Sequence, residues 1–262
     1  MGGMDEQEYR QHPAISYSLL KEMSRSPAHF LHAMRNPPEE TEQMLRGTLI
    51  HCMALEPDKV AERFVKAVDC DRRTKAGKQA WADLEASAAG RRLIPAGMWD
   101  LAERCVEAMS RDAETSMWLF EAQQGHVERP LFWHRQGVDC KGRPDSVLVD
   151  GTVVDVKTTQ CCHPPVFVPE IFRRNYHAQG AFYRSGVLSR GEPWRSHVLV
   201  CVETESPYAV AVFRLDQGTI EHADSRISEW LNLYRRCLED GRWPGYGLVE
   251  VVPPAWAVGK AG

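Results

Sequence analysis

The chain has 262 residues, of which 43% are hydrophobic and 26% charged, and its formal net charge at pH 7 is −4. This composition is that of a soluble globular protein, and no apolar run approaches the ~18 residues that a membrane span needs. The N-terminus has no apolar signal segment, so we expect a cytoplasmic protein with no membrane partner. Proteins that bind nucleic acid are usually basic, so any such site here must be local and helped by a metal ion.

The first 120 residues are predicted to be mostly helical. Capping residues precede the helical segments, and Pro37 and Pro57 follow two of them. In the last segment, apolar residues recur at helical spacing, which is typical of an amphipathic helix. Helices are expected over residues 16–35, 40–55, 75–89 and 95–112.

From residue 126 onward the hydrophobic pattern changes to that of strands. A small mixed sheet flanked by helices is therefore expected after the helical half, which is an α/β (α+β) fold in one domain over residues 14–245. Residues 1–13 are expected to form a flexible N-terminal segment, and residues 246–262 a tail rich in Pro and Gly. Strands are expected over residues 126–134, 195–204 and 208–215, and helices over residues 169–188 and 216–239.

One stretch, GRPDSVLVDGTVVDVKTTQ (residues 142–160), places charged side chains inside a strand pattern. Asp145 precedes an Asp-Gly turn signal, and Asp155 and Lys157 follow it. Charges within a buried strand are costly unless they are paired. The stretch is therefore either an exposed hairpin with a salt bridge or a site where two carboxylates hold a divalent cation beside a lysine. In the second case the lysine would orient a water molecule or stabilise developing negative charge.

The turn of this hairpin allows two registers. A two-residue loop, Asp150-Gly151, places Asp145 and Asp155 on opposite faces of the sheet. A three-residue loop that begins at Val149 makes Gly151 a bulge residue and pairs the two acids, with Cβ atoms ~5 Å apart. If the stretch is a metal site, we predict the second register, with the three-residue loop or an equivalent bulge in the hairpin.

These residues resemble the signature of the PD-(D/E)XK nuclease superfamily, whose core is restriction-endonuclease-like. The resemblance implies that Asp145 and Asp155 bind metal and take part in catalysis, and that Lys157 is catalytic. Upstream, RGTLIHCMALEP (residues 46–57) resembles a helix of RecB-type and RecE-type members. That likeness implies a metal-binding role for His51.

Further segments resemble RecE-type exonucleases (exodeoxyribonuclease VIII). YHAQGAFYRSG carries the Gln-x-x-x-Tyr element, which implies that Gln179 and Tyr183 lie at the catalytic centre. Glu128, before the hairpin, is a further candidate for binding the metal or its waters. ISYSLLKEMSRSPAHF and DRRTKAGKQAWADL resemble an entry segment and a basic loop, although the two serines of the first could equally be simple helix caps. The candidate contacts to DNA or to a 5′-phosphate are Ser16, Ser18, Lys21, Arg72, Arg73, Lys75 and Lys78.

The resemblance implies a Mg²⁺-dependent double-strand DNA exonuclease of 5′-to-3′ polarity, in which Mn²⁺ can substitute. It also implies a bacterial, prophage or phage context, a RecT-like single-strand annealing partner, and a homo-oligomeric ring, tetrameric in RecE-type members. Only Cys237 follows residue 202, so we expect no iron–sulfur cluster of the kind that needs several C-terminal cysteines. The alternatives are an endonuclease of the defence or restriction type on the same fold and a non-catalytic nucleic-acid-binding relative.

Overall fold

The structure of the protein, a computed structural model, describes residues 6–67, 73–248 and 250–252. Arg72, one of the predicted DNA contacts, lies outside the described residues. The helices are α1 (Glu6–Gln11), α2 (Tyr17–Leu20), α3 (Pro27–Arg35), α4 (Glu42–Leu55), α5 (Val60–Arg63), α6 (Lys75–Ala88), α7 (Ala96–Arg111), α8 (Ala113–Gln124), α9 (Pro164–Arg173), α10 (Tyr176–Ser189) and α11 (Gln217–Asp240). The strands are β1 (Ile15–Ser16), β2 (Phe64–Lys66), β3 (Arg92–Ile94), β4 (His126–Val127), β5 (Leu131–Arg135), β6 (Val138–Gly142), β7 (Ser146–Val147), β8 (Val153–Thr159), β9 (His197–Glu203) and β10 (Val210–Leu215).

A mixed five-stranded sheet organises the fold, in the order β10-β9-β8-β7-β4. Strands β8 and β9 run parallel, and the other neighbours are antiparallel. Helices α4, α7 and α8 pack on one face, and α9, α10 and α11 on the other, which confirms the predicted α/β (α+β) architecture. Among the described helices, none combines the length and the apolar character needed to cross a membrane.

Strand β8 is buried on both faces, and its alternation decides where its charges point. Val154 and Val156 belong to the core beneath α4 and α7, whereas Val153 belongs to the core beneath α10. Because side chains two residues apart share a face, Asp155 and Lys157 project on the same side as Val153. The strand therefore delivers a carboxylate and an ammonium to the face covered by α10.

Two predicted helices are each divided in the structure. The helix expected over residues 16–35 is broken at Ser26-Pro27, where Pro27 begins α3 and Ser26 caps it. Proline has no N–H to donate, so it suits the first turn of a helix and not its interior. The helix expected over residues 169–188 is two helices, α9 and α10, because Asn175 between them has a left-handed φ of 59°.

The strand expected over residues 126–134 is also divided, into β4 and β5. Glu128 has a left-handed φ of 51°, and Pro130 cannot donate a ladder hydrogen bond, so the chain turns between them. Within residues 1–13, expected to be flexible, residues 6–11 form α1. The other predicted helices and strands agree with the structure to within a few residues.

The turn between β7 and β8 is the predicted three-residue loop, residues 149–151. Ser146 pairs with Val154, and the same register, continued by one residue, places Asp145 opposite Asp155. The predicted register is therefore confirmed, and with it the prediction that both acids face the same side as Lys157.

Gly151 makes this loop possible, and its substitution should be costly. Its φ is 82°, and a Cβ there would lie 2.0 Å from the carbonyl oxygen of Pro193. Gly151→Ala is expected to lower the free energy of unfolding by about 2 kcal/mol or more, through backbone strain and this overlap. Gly191 has a similar φ of 73°, but a Cβ added to it would meet no atom within 4 Å, so Gly191→Ala measures the backbone strain alone. Equal losses in urea unfolding would contradict the close approach to Pro193.

Candidate active site

Three side chains that could bind metal converge from separate elements. His51 comes from α4, Glu128 follows β4, and Asp145 precedes β7. One ligand atom from each lies within 4.8 Å of the other two. Nδ1 of His51 is 3.2 Å from Oδ2 of Asp145. An imidazole and two carboxylates at this spacing fit a divalent cation such as Mg²⁺ or Mn²⁺.

The backbone holds the two carboxylates of this group in place. The N–H of Val156 donates to Oδ2 of Asp145 at 2.7 Å, and the N–H of Glu128 donates to the carbonyl oxygen of Asp145 at 2.9 Å. Glu128 is also held by Arg143, whose Nε lies 2.8 Å from Oε2 of the glutamate. The left-handed backbone of Glu128 is uncommon for a residue other than glycine, and such conformations cluster at functional sites.

Asp155 and Lys157 form the second part of the site. Asp155 is 1% exposed and makes an ion pair with the ammonium of Lys157. Nζ of Lys157 also donates to Oε1 of Gln179 at 3.2 Å, and Nε2 of Gln179 donates to the hydroxyl of Tyr183 at 3.1 Å. The structure therefore brings the predicted Gln-x-x-x-Tyr pair to the predicted lysine.

Tyr176 belongs to the same group but was not predicted from the sequence. Nζ of Lys157 lies 5.0 Å from the centre of its ring, a distance at which a cation is attracted to an aromatic face. Tyr176 precedes Gln179 by three residues on α10, so the two side chains share a helix face. That spacing is the sequence signal from which the position of Tyr176 at the site could have been predicted. Arg143 was missed as well, although it lies beside the proline of the hairpin sequence.

Burial and the neighbouring charges shift the pKa values of the acids of the site. Burial, reinforced by Asp145, raises the pKa of Glu128 to about 7. Burial also raises the pKa of Asp155 to about 6, although Lys157 opposes this shift. Burial disfavours the charge of Asp145, but His51 outweighs it and lowers the pKa of that carboxyl. Burial would lower the pKa of His51, but Asp145 raises it to about 9. A protonated imidazole thus offsets the acids, and a metal cation could do the same.

A cavity of about 530 Å³ is lined by Glu128, Lys157, Gln179 and Tyr183 of this site, among other residues. Glu128 is the one acidic side chain among the residues that line it, whereas six lining side chains are cationic. The local charge is therefore opposite to the net charge of −4 of the whole chain, and the cavity suits an anionic ligand. The six cationic residues are Arg10, Lys21, Lys141, Arg143, Lys157 and Arg174.

The predicted DNA contacts divide into two groups. Ser16, Ser18 and Lys21 line the cavity. Oγ of Ser16 lies 2.9 Å from Oγ of Ser18 and accepts a hydrogen bond from the N–H of Leu19 at 3.4 Å, so Ser16 also caps α2. The residues that line the cavity do not include Arg73, Lys75 and Lys78, which lie at the start of α6. A role of these three residues in DNA binding stays a prediction.

His197, the first residue of β9, is a buried histidine on the same side of the sheet. It is 0% exposed, and neither ring nitrogen has a hydrogen-bond partner among the described residues. Burial, reinforced by the positive charge of Lys157 and opposed by Asp145, lowers the pKa of His197 from 6.5 to about 3. The folded protein therefore keeps this imidazole neutral at a pH where the unfolded chain protonates it.

This difference makes the protonation of His197 a destabilising contribution in acid. Because the pKa of His197 is lower in the folded state, its contribution to stability is present above pH 6.5 and is lost as pH falls towards about 3. The loss is about 1.4 kcal/mol per pH unit. We expect His197→Leu to show a shallower fall in the free energy of unfolding between pH 7 and 5 than the wild type. His222→Leu, at an exposed position on α11, is the control and should keep the wild-type slope. An unchanged slope in His197→Leu would show that the protonation of His197 does not contribute to the loss of stability in acid.

Comparisons with known proteins gave one family match and several similar solved structures. Residues 16–252 match the model of a family described as a PDDEXK-like domain of unknown function (DUF3799). Among solved structures, a candidate exonuclease from Eubacterium rectale is similar at 13% identity, with 100% of both chains covered and a TM-score of 0.60. An alkaline exonuclease from Laribacter hongkongensis, at 17% identity, covers 70% of this chain and 95% of its own, with a TM-score of 0.30. No curated protein matches significantly.

These matches differ in what they show. At 13% identity, the likeness to the Eubacterium rectale structure shows a shared fold, and the TM-score of 0.30 for the alkaline exonuclease carries no argument. The family model, in contrast, spans the hairpin, α4 and α10, and so includes every candidate metal ligand. The chain therefore belongs to the family of PDDEXK-like domains DUF3799.

Proposed function

We propose that the protein is a metal-dependent deoxyribonuclease that degrades double-stranded DNA from its ends. One observation carries the proposal: the group formed by His51, Glu128 and Asp145 adjoins a cavity whose lining includes Glu128, Lys157 and five further cationic side chains. Acids that bind metal beside a lysine are suited to hydrolysing a phosphodiester. The metal cation and the ammonium of the lysine can both compensate the negative charge of the phosphate.

The residues of the site have separate roles in this proposal. His51, Glu128 and Asp145 would hold Mg²⁺ or Mn²⁺, and Asp155 adds a carboxylate on the neighbouring strand. When bound, such a cation polarises the phosphate and lowers the pKa of a water molecule. Gln179, hydrogen-bonded to both Lys157 and Tyr183, fixes the lysine towards the reacting phosphate.

Lys157 acts in this proposal as a charged donor. Burial disfavours its charge, but Asp155 and Asp145 outweigh burial, so the pKa of Lys157 lies above its usual value. An ammonium with a raised pKa keeps its proton at neutral pH and is a poor general base. It can instead donate a hydrogen bond to the attacking water or to a phosphate oxygen and stabilise the charge that develops there.

The finer assignment is to a RecE-type exonuclease of 5′-to-3′ polarity. Ser16, Ser18 and Lys21 line the same cavity as Lys157, which supports a terminal 5′-phosphate held near the scissile bond. In this proposal the product is 3′ single-stranded DNA, which a RecT-like annealing protein coats. A homo-oligomeric ring, with a tetramer favoured, belongs to the same proposal and follows from the resemblance to RecE-type enzymes.

A cleavage assay with defined DNA tests this function. Linear duplex with 5′-phosphates should be degraded in Mg²⁺ and left intact in EDTA, while covalently closed circular duplex should persist in both. Dephosphorylated 5′ ends should be degraded more slowly, and equal rates would remove the phosphate site. Cutting of closed circles would indicate an endonuclease, and no cleavage of either DNA would indicate a binding protein without catalytic activity.

A further inference from the structure

Helix α1 is joined to the site by one buried lysine. Lys141, on β6, is 6% exposed. Its Nζ donates hydrogen bonds to the backbone carbonyl oxygens of Tyr9 at 2.6 Å, Arg10 at 3.2 Å and His12 at 2.7 Å. The carbonyl groups at the C-terminal end of a helix have no partner within the helix, so a lysine that binds two carbonyls of α1 and that of His12, just after it, holds that end firmly.

Side-chain contacts hold α1 in the same position. Two cations lie over the ring of Tyr9, with Nζ of Lys141 4.9 Å and Cζ of Arg143 5.0 Å from its centre. Phe132, on β5, packs against His12 with ring centres 4.5 Å apart and against Tyr9 at 6.1 Å. Arg143 in turn pairs with Glu128 of the candidate metal group. Helix α1 is thus connected through Tyr9 to the centre of the site.

Helix α1 forms part of the wall of the cavity at the site. Tyr9 and Arg10 line the cavity together with Glu128 and Lys157. The family model matches residues 16–252, which are the family domain, and α1 precedes them. One wall of the cavity is therefore supplied by a segment that precedes the family domain.

We propose that α1 is a substrate-binding element, in which Arg10 contacts a backbone phosphate of the DNA and Tyr9 forms the adjoining wall. Lys141 is the positioning residue that holds both beside the site. The inference rests on the proposed function for the identity of the ligand. It adds that affinity for DNA depends on a helix outside the family domain, whereas metal binding and the chemical step depend on the residues within it.

The substrate contacts are tested by DNA binding in EDTA, measured by fluorescence anisotropy with a labelled linear duplex. Arg10→Ala and Tyr9→Ala should each raise Kd by about 5-fold or more, and Arg10→Ala should lower the slope of log Kd against log salt by about 1. The affinity of Arg10→Ala for Mn²⁺ should stay within about twofold of wild type, which would separate a phosphate contact from a metal ligand. Arg111→Ala removes an exposed arginine on α7 and is the matched control, with wild-type Kd expected.

The positioning role of Lys141 is tested by a double-mutant cycle. Lys141→Met should raise Kd as Arg10→Ala does, and Arg10→Ala should change Kd by less than about twofold in the Lys141→Met background. A merely structural role would instead make the two losses additive. If Lys141→Met does not fold, Phe132→Ala serves in its place, because Phe132 is 37% exposed and contacts α1 from outside the cavity.

Three results would overturn the inference or a part of it. Wild-type affinity in Arg10→Ala and Tyr9→Ala, in a protein that cleaves linear DNA, would overturn it and leave the proposed function intact. Additive losses in the cycle would overturn the role of Lys141. A wild-type protein that neither binds nor cleaves DNA would overturn the proposed function and this inference together.

Discussion

Lys157→Met is expected to lower the single-turnover rate of cleavage of linear duplex DNA by about 10²-fold or more. The substitution keeps the aliphatic stem beside Tyr176 but removes the ammonium, which is the charged donor nearest to Asp155 and Gln179. Removing one preorganised donor from a buried site typically costs this much in rate. Lys66→Met is the control, since Lys66 is a half-exposed surface lysine whose Nζ pairs with Asp100 at 2.5 Å.

Loss of activity must be separated from loss of folding. Asp155 is 1% exposed, so removing its partner leaves a buried carboxylate without compensation, and such changes cost about 3–5 kcal/mol unless the acid takes up a proton. The double variant Lys157→Met/Asp155→Asn removes both charges and should recover much of the stability while remaining inactive. Near-normal cleavage by a folded Lys157→Met protein would exclude the lysine from catalysis.

Asp145→Asn is expected to weaken Mn²⁺ binding by about 10²-fold or more, measured by isothermal titration calorimetry. Asp145 is central to the metal group, because it contacts His51 and accepts the N–H of Val156. Changes to groups that only support a ligand already cost 10–100-fold in affinity, so losing a carboxylate ligand should cost at least as much. Wild-type affinity in this variant would show that the metal binds elsewhere.

Matched variants separate the contributions to this metal site. Glu128→Gln should also weaken Mn²⁺ binding, because the amide removes a charge but keeps the shape and the contact with Arg143. Asp139→Asn changes a comparable aspartate beside a histidine, His134, at an exposed position, and should leave the affinity unchanged. Asp155→Asn tests whether the carboxylate paired with Lys157 also binds the metal, since in that case Mn²⁺ binding should weaken in this variant too.

The features predicted correctly from the sequence depend on short-range geometry. The Asp-Gly turn and strand alternation limited the hairpin to two registers, and the requirement that Asp145 share a face with Asp155 and Lys157 selected the correct one. Gln179 and Tyr183 followed from the resemblance to RecE-type exonucleases, and their spacing of four residues places them on one helix face. The predictions of one continuous helix over residues 16–35 and over residues 169–188 were wrong. The helical periodicity of the sequence continues across Pro27, which begins a new helix, and across Asn175, whose left-handed backbone separates two helices.

The sequence by itself determined the fold class, the hairpin and the residues that carry charge in it, because each depends on local pattern and on neighbours along the chain. Only the tertiary structure decided how Glu128 reaches His51 and Asp145, since that depends on a left-handed residue and on the pairing of β4 with β7. The tertiary structure also decided that α1 forms a wall of the site. Tyr9 and Lys141 are 132 residues apart, and the contact that joins them is a hydrogen bond to a backbone carbonyl, which no side-chain pattern records.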